Sequence, residues 1–409
     1  MKQERAERRP RERLVSLDVF RGITIASMLL VNTPGTWSAI YPPLRHAEWH
    51  GWTPTDLIFP FFVFIVGITT QLSIGARRTR GDDEAAIRRQ ILKRGGLIFL
   101  FGLLLNGFPF FTWAAVPGNP DASLLDRIVD RLEHWRIMGV LQRIAIAYVI
   151  SALIATRAQL RTQLVITAAI LIGYWLVMTL LPVPGTEGTS GAALLHDPAR
   201  NMAAYWDRVF LDWSRFDLGN HLWINSRTWD PEGVLSTAGA VATAMFGNLA
   251  GRWIADARPL PERVNGLFAM GALAIVAGSV WGWAFPINKS LWTSSYVVFT
   301  AGMASLTLAT IMWLVDIRER RNWVRPFVIY GVNPLIAFVG SGIMARLIYS
   351  IITVEYAGAR VSLQSAIYES AFASWLSPVN ASLAFALAFV ALWLGILALL
   401  QRRSIFISV

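Results

Sequence analysis

The feature that most constrains the fold of this chain is a recurring run of about 20 apolar residues, the length that spans the hydrocarbon core of a bilayer as a helix. Hydrophobic residues make up 55% of the chain and charged residues 15%, proportions that exclude an ordinary soluble domain. In lipid, a helix satisfies its own backbone hydrogen bonds. The sequence therefore predicts an all-α, polytopic integral membrane helix bundle.

About ten such runs are long enough to be transmembrane helices. They lie at 15–33, 56–75, 91–111, 137–156, 163–182, 233–254, 264–285, 291–315, 326–350 and 380–401. We expect residues 1–14 to remain as a basic cytoplasmic tail, because the first run is too long for a cleavable signal and contains two charged residues. Residues 15–409 are then expected to form a single transmembrane domain.

The distribution of basic residues predicts the orientation. Most of the 37 Lys and Arg residues fall on one side of the membrane if the N-terminus is cytoplasmic, as the positive-inside rule requires. The C-terminus is then cytoplasmic as well. The long outer loops are 34–55, 112–136, 183–232 and 351–379, and all five histidines fall within them. Long loops between rigid elements commonly carry functional sites.

Several classes of function find no support in the sequence. The absence of Cys excludes disulfides, a Cys nucleophile and thiolate metal sites. There is no HExxH helix and no phosphate-cradling glycine loop, so we expect no metal. The net charge of +11 is not accompanied by a nucleic-acid module, so we expect no nucleic-acid partner.

His46 is the first candidate for chemistry, in the outer loop that joins Asn32 to Asp56. Histidine side chains titrate near neutrality, so His46 could take a proton from an ammonium or hydroxyl nucleophile. Asn32, Glu48 and Asp56 could orient the ring. The alternative is an interfacial histidine without a chemical role.

A second polar group is TWDPEG at 228–233, where the third outer loop enters a predicted span. Asp230 and Glu232 could hold the hydroxyls or the ammonium of a sugar. The alternative is that Asp-Pro-Glu simply starts the helix, with Asp as the N-cap and Pro in the first position.

Charged and helix-breaking residues also occur inside the predicted spans. Asp18 and Arg21 share one face of the first helix, while Arg143 and Arg346 lie in the outer portions of two others. Intramembrane charges usually face protein or water and mark a pathway, although structural pairing is the alternative. Asn333 followed by proline is expected to break the ninth span.

Several motifs, in order along most of the chain, resemble the heparan-α-glucosaminide N-acetyltransferase family. They are RLVSLDVFRGITIASMLLVN, RHAEWHGWTPTDLIFPFFVFIVG, GVLQR, WDPEGVLST, INKSLWTSSYV and the Asn-Pro of the ninth span. The resemblance implies a compact bacterial relative in the inner membrane, without the large lumenal domain of the lysosomal enzyme. It also implies transfer of an acetyl group from cytosolic acetyl-CoA to the amine of a glucosamine-type sugar on the outer, periplasmic side.

The resemblance, together with the polar residues described above, gives expected roles to particular residues. His46 and Asn32 are implied to be catalytic, with His46 acting either as general base for direct transfer or as the carrier of an acetyl group. The expected acceptor-binding residues are Asp56, Asp230, Glu232, Asn288 and Lys289. The residues expected to hold acetyl-CoA, whose pantetheine arm would thread the bundle from the cytoplasm, are Asp18, Arg21, Arg94, Arg143 and Asn333.

The expected partners follow from this function. They are acetyl-CoA, an amino sugar or amino-oligosaccharide, membrane lipid and a second copy of the chain in a homodimer. The rival function is a sugar or proton-coupled transporter without acyltransferase activity, because ten helices and intramembrane charges also suit transport.

Overall fold

The computed structural model describes residues 14–112, 116 and 118–406. It is mostly helical, with 67% helix and 4% strand, and confirms the predicted fold class. The helices of the described residues are α1 (Val15–Asn32), α2 (Ile58–Arg80), α3 (Glu84–Gly107), α4 (Leu124–Glu133), α5 (Val140–Arg157), α6 (Leu160–Thr179), α7 (Met202–Leu211), α8 (Thr237–Ile254), α9 (Leu260–Trp281), α10 (Ser294–Met312), α11 (Arg325–Val332), α12 (Pro334–Arg346), α13 (Leu363–Tyr368) and α14 (Pro378–Arg402).

Every predicted span corresponds to a helix or a pair of helices. Within the described residues, eight helical segments are long and apolar enough to cross a membrane by length and composition. The other two predicted spans coincide with α3, of 24 residues, and α8, of 18 residues. The chain is therefore a polytopic helical membrane protein.

The predicted break in the ninth span is present. Helix α11 ends at Val332, and α12 begins with Pro334 as its first residue. Between them Asn333 has φ −123° and ψ 55°, outside the helical region. Proline cannot donate a backbone hydrogen bond and clashes with the preceding turn, so the helix divides at this point.

Glycines allow the central helices to pack closely. A Cβ atom on Gly67 of α2 would lie 2.1 Å from the Ala244 carbonyl oxygen of α8, and one on Gly247 would lie 2.1 Å from the Phe64 oxygen. Neither separation is possible for a real side chain, so the two helices touch backbone to backbone. Such small-residue contacts are typical of helices that associate within a membrane.

The long predicted loops contain secondary structure. Helix α4 lies within 112–136 and α7 within 183–232, while the segment 351–379 contains an antiparallel hairpin of β1 (Thr353–Tyr356) and β2 (Ala359–Ser362). The alternative in which Asp230 caps a helix is wrong, because α8 begins only at Thr237. Asp230 instead starts a turn in which its carbonyl accepts from the backbone N–H of Gly233.

Candidate active site

The side chains of His46 and Asp56 form a hydrogen-bonded pair. The His46 Nδ1 atom lies 2.7 Å from the Asp56 Oδ1 atom. The Asp56 side chain is 1% exposed, whereas that of His46 is 48% exposed. The structure thus joins a buried carboxylate to an imidazole that solutes can reach.

The local sequence Thr53-Pro54-Thr55-Asp56 explains why the carboxylate is fixed. These residues form a short 3₁₀ turn from Pro54 to Leu57 that leads directly into α2. The Asp56 Oδ2 atom accepts from the backbone N–H groups of Ala47 and Thr53, both at 3.0 Å. The Tyr296 hydroxyl donates to the Asp56 carbonyl oxygen from α10. One carboxylate oxygen therefore binds the backbone of the loop, and the other contacts His46.

This arrangement determines which nitrogen of His46 is available for chemistry. An ionised carboxylate can only accept a hydrogen bond, so the proton in the contact with Asp56 is on Nδ1. The Nε2 atom then keeps its lone pair. Carboxylates orient imidazoles in the same way in other enzymes that use histidine as a base.

Lys289 lies against the same pair. Its Nζ atom is 3.4 Å from Asp56 Oδ1, and 3.0 and 3.4 Å from the Nδ1 and Nε2 atoms of His46. Burial lowers the pKa of Lys289, although Asp56 and Glu232 act in the opposite direction. The loop between α9 and α10 thus brings a cation to the exposed edge of His46.

His50 belongs to a neighbouring but different contact set. Its Nε2 atom is 3.0 Å from His196 Nδ1, and its Nδ1 atom is 3.3 Å from Asn288 Nδ2. Burial and the nearby His196 lower the pKa of His50. Asn288 is fully buried and also accepts from the Leu291 backbone N–H, so it supports the loop that carries Lys289.

Asp230 and Glu232 are brought together by Arg136, which the sequence did not single out. The Arg136 Nε atom donates to Asp230 Oδ2 at 2.8 Å, and its Nη2 atom contacts Glu232. Burial raises the pKa of Glu232, but Arg136 and Arg143 outweigh it, and the net pKa is lowered. Both predicted acceptor carboxylates are therefore already paired with a guanidinium.

A third acid lies beneath this group. Asp207 of α7 accepts from the backbone N–H groups of Asp230, at 3.1 Å, and Val234, at 2.8 Å. Burial raises the pKa of Asp207 to about 7, with Asp230 adding to the increase. Asp207 holds the turn that presents Asp230 and Glu232 in place.

Arg143 lies with the acid group and not with the other residues expected to hold acetyl-CoA. Its Nη2 atom donates to the Gly233 carbonyl oxygen, at 3.2 Å, and to the Ser236 hydroxyl. Its guanidinium lies 5.0 Å from the centre of the Trp292 ring. The side chain is fully buried, so its contacts support the connection between α5 and α8.

Two cavities lie one above the other along the helices. The inner cavity, of about 360 Å³, is lined by Arg21 and Arg94, and the outer cavity, of about 540 Å³, is lined by Asn32. They share wall residues, which are Met28, Val140, Leu141 and Phe338. A smaller cavity of about 70 Å³, lined by Arg77, adjoins the inner one. Shared lining residues show that the three cavities are neighbours within the bundle.

Of the remaining predicted residues, Arg21 lines the inner cavity and Asn32 the outer one, whereas Asp18 and Asn333 are in neither of the described linings. Arg21 donates to the Gly331 carbonyl oxygen at 2.9 Å and lies 3.5 Å from Asp18. Asn333 donates to the carbonyl oxygen of Ile405 at 3.2 Å. Asn32 lines the outer cavity, whereas His46 is not among the described residues of its lining.

Some residues of the site escaped prediction for a clear reason. Arg136, Trp37 and Trp223 also line the outer cavity, together with Arg346. The partners of Arg136 are 94 and 96 residues away in sequence, and no local pattern connects them. The one feature of the sequence that could have indicated this pairing is the position of Arg136 near the start of a predicted span, on the same side as the predicted acidic turn at 228–233.

Comparison with known proteins bears directly on this arrangement. Residues 13–190, which include His46, Asn32, Asp56 and Arg94, match the family model described as heparan-alpha-glucosaminide N-acetyltransferase, catalytic. The resemblance found in the sequence is confirmed. This chain is similar to the human heparan-alpha-glucosaminide N-acetyltransferase, with 29% identity over 369 residues, and to the mouse protein, with 27% identity over 387 residues.

The aligned region covers a larger fraction of this chain than of either relative. The aligned region covers 80% of this chain and 52% of the human protein, and 84% of this chain and 55% of the mouse protein. The chain thus spans about half the length of these relatives. The similarity to heparan-alpha-glucosaminide N-acetyltransferase covers most of the residues of this chain.

Proposed function

We propose that this chain is an acetyl-CoA-dependent N-acetyltransferase that moves an acetyl group across the bacterial inner membrane to the amine of a glucosamine-type sugar. The observation that carries the proposal is the His46–Asp56 pair, in which a buried carboxylate holds Nδ1 of an exposed histidine and leaves Nε2, 3.4 Å from the Lys289 Nζ atom, as the basic nitrogen. Both termini are cytoplasmic in this proposal, so the loop with His46 faces the periplasm.

The cavities supply the route for the donor. Arg94 lines both the inner cavity and the smaller cavity that contains Arg77, so two guanidiniums stand where the CoA phosphates enter. Twelve residues of α3 separate Arg94 from Asn106 in the outer cavity, a rise of roughly 18 Å. The narrow pantetheine arm passes between the residues that line both the inner and the outer cavity, and the thioester then lies beside Asn32.

The reaction is an attack of the amine on the thioester carbonyl. His46 Nε2 accepts a proton from the amine as the new C–N bond forms, and Asp56 holds the ring through Nδ1. The C–S bond breaks, and His46 passes the proton it received to the departing sulfur, so that CoA leaves as the thiol and His46 is neutral again. The Asn32 amide donates to the carbonyl oxygen, where negative charge develops.

The acceptor sugar lies between His46 and the outer cavity. Trp37 and Trp223 line the cavity, and Trp37 is largely exposed, so an indole face is available to a sugar ring. Asp230 and Glu232 are held by Arg136 and support this wall from behind. Because both carboxylates are paired with the Arg136 guanidinium, Asp230 and Glu232 shape the site and do not bind the ammonium directly.

The test of this function is a product assay. Purified protein in lipid is mixed with acetyl-CoA and glucosamine, and both free CoA and N-acetylglucosamine are measured. The proposal requires the two products to form in equal amounts. Uptake of an amino sugar into vesicles without any release of CoA would instead support the rival transporter.

Arg94 provides a prediction for the donor route. We expect Arg94→Ala to weaken acetyl-CoA binding by about 10- to 100-fold, because a charge-assisted hydrogen bond to phosphate contributes about 1.5–3 kcal/mol. Transfer from S-acetyl-N-acetylcysteamine, a short thioester without phosphates, should change little. The measurement is the KM for each donor in the same variant.

Arg89→Ala is the matched control, since Arg89 is on the same helix but is absent from the described linings of the inner and smaller cavities. It should leave both KM values near those of the wild type. An equal loss with both donors in Arg94→Ala would show a folding defect and remove Arg94 from the donor site.

A further inference from the structure

Helix α4 has two chemically distinct faces. In LLDRIVDRLE, the apolar side chains cover an arc of about 140° when residues are placed 100° apart, and the charged side chains occupy the rest. The apolar side chains are Leu124, Leu125, Ile128, Val129 and Leu132. A surface helix with this pattern normally turns its apolar face toward the protein core.

In this structure the helix has the opposite orientation. Arg131 donates to the carbonyl oxygens of Gly107 and Asn106, and Arg127 donates to that of Thr112. The Asp130 carboxylate accepts from the Thr112 hydroxyl. The charged face is thus the one attached to the protein.

The apolar face is correspondingly uncovered. Leu125 is 68% exposed, Leu124 63% and Leu132 50%, and no residue of α4 is buried. In a water-soluble protein this arrangement would expose a row of branched side chains to solvent. The described part of the chain leaves Leu124, Leu125 and Leu132 at least half exposed.

The position of α4 indicates what does cover them. Its contacts with Asn106 and Gly107 place it at the end of α3, on the side of the membrane that carries His46. Leu100 and Leu104 on the last turns of α3 are exposed, and so is Phe110 just beyond it. Exposed apolar side chains therefore occur both on the last turns of α3 and on the helix attached to its end, at the level where a membrane span leaves the hydrocarbon.

We propose that α4 is an interfacial helix whose apolar face is inserted among the lipid acyl chains of the leaflet on the His46 side. Helices with a strong polar face and a separate apolar face lie in the plane of the membrane in this way. The charged face then lies above the acyl chains and anchors the helix to the rim of the outer cavity, through the backbone of Asn106. The occupant of the face is lipid.

The natural absence of Cys permits a direct test in the full chain. Leu125→Cys is labelled with an environment-sensitive fluorophore, and the protein is placed in phosphatidylcholine nanodiscs with and without brominated acyl chains. Arg200→Cys, at an exposed loop position before α7, is the control. We expect brominated lipid to quench the label at 125 severalfold more than the label at 200, and aqueous iodide to show the reverse.

Two results would overturn the proposal. Strong iodide quenching at both positions, with no effect of brominated lipid at 125, would mean that the face is in water. Protection of position 125 from both quenchers, with fluorescence transfer between labelled copies, would assign the face to a homodimer. Circular dichroism and elution volume like those of the wild type establish that each variant is folded.

Discussion

Replacing His46 with Ala is expected to reduce acetyl transfer by about 100-fold or more, within the range typical of a lost general base. The reason is geometric, because Asp56 holds the Nδ1 side of His46 and thereby leaves Nε2 as the basic nitrogen of the ring. The variant should insert and fold normally, since the His46 side chain is half exposed and lies in a loop, and backbone N–H groups continue to hold the Asp56 carboxylate. The measurement is the rate of CoA release with saturating glucosamine and acetyl-CoA.

His50→Ala is the matched control for this prediction. His50 is in the same loop, but it pairs with His196 and Asn288 and not with Asp56. It should lose far less activity than His46→Ala. Near-normal turnover in a folded His46→Ala protein that binds acetyl-CoA would remove His46 from the mechanism.

The same proteins separate the two chemical routes. Direct transfer requires that wild-type protein incubated with acetyl-CoA alone gains no stable acetyl mass. An acetyl group found on His46 by mass spectrometry would support a two-step route, in which the imidazole is acetylated before the sugar. Both routes depend on the lone pair that Asp56 leaves at Nε2.

Asp56→Asn is the second substitution expected to have a large effect, with a loss of about 100- to 10,000-fold in kcat. An amide in this place can donate a hydrogen bond to Nδ1, which stabilises the tautomer with the proton on Nε2. The equivalent change in a serine–histidine–aspartate triad costs about 10,000-fold for that reason. The KM for acetyl-CoA should stay near the wild-type value, because Asp56 is absent from the described linings of the cavities.

Thr53→Ala tests whether such a loss comes only from a loosened loop. The Thr53 hydroxyl donates to the Arg45 carbonyl oxygen at 2.6 Å and lies 3.2 Å from Asp56 Oδ2, so its removal weakens the loop, while the backbone N–H groups of Ala47 and Thr53 still hold the carboxylate. We expect Thr53→Ala to keep most of its kcat. An equally large loss in both variants would mean that Asp56 acts through folding and not through the tautomer of His46.

The sequence predicted the spans because membrane helices are defined by length and apolarity, which a single chain displays directly. It predicted the division at Asn333 for an equally local reason, the proline that follows. His46 was proposed by two separate arguments, the side on which basic residues place it and the motif around it, and its role stays a prediction. None of these inferences needed contacts between distant segments.

The partners within the site could not be predicted in the same way. The acceptor-binding role of Asp56 stays a prediction, but the sequence did not show that His46 and the loop backbone contact its two oxygens. The same role for Asp230 and Glu232 also stays a prediction, and the sequence did not show that Arg136 contacts both. Each outcome depends on tertiary contacts that no pattern within one segment records.

The central claim, transfer through the membrane, is tested most directly in sealed proteoliposomes. Glucosamine is trapped inside, labelled acetyl-CoA is added outside, and the contents are separated from the medium. The account predicts that labelled N-acetylglucosamine accumulates inside while CoA appears outside, and that a His46→Ala protein gives neither product. Labelled product formed only when donor and acceptor are supplied on the same side would contradict it.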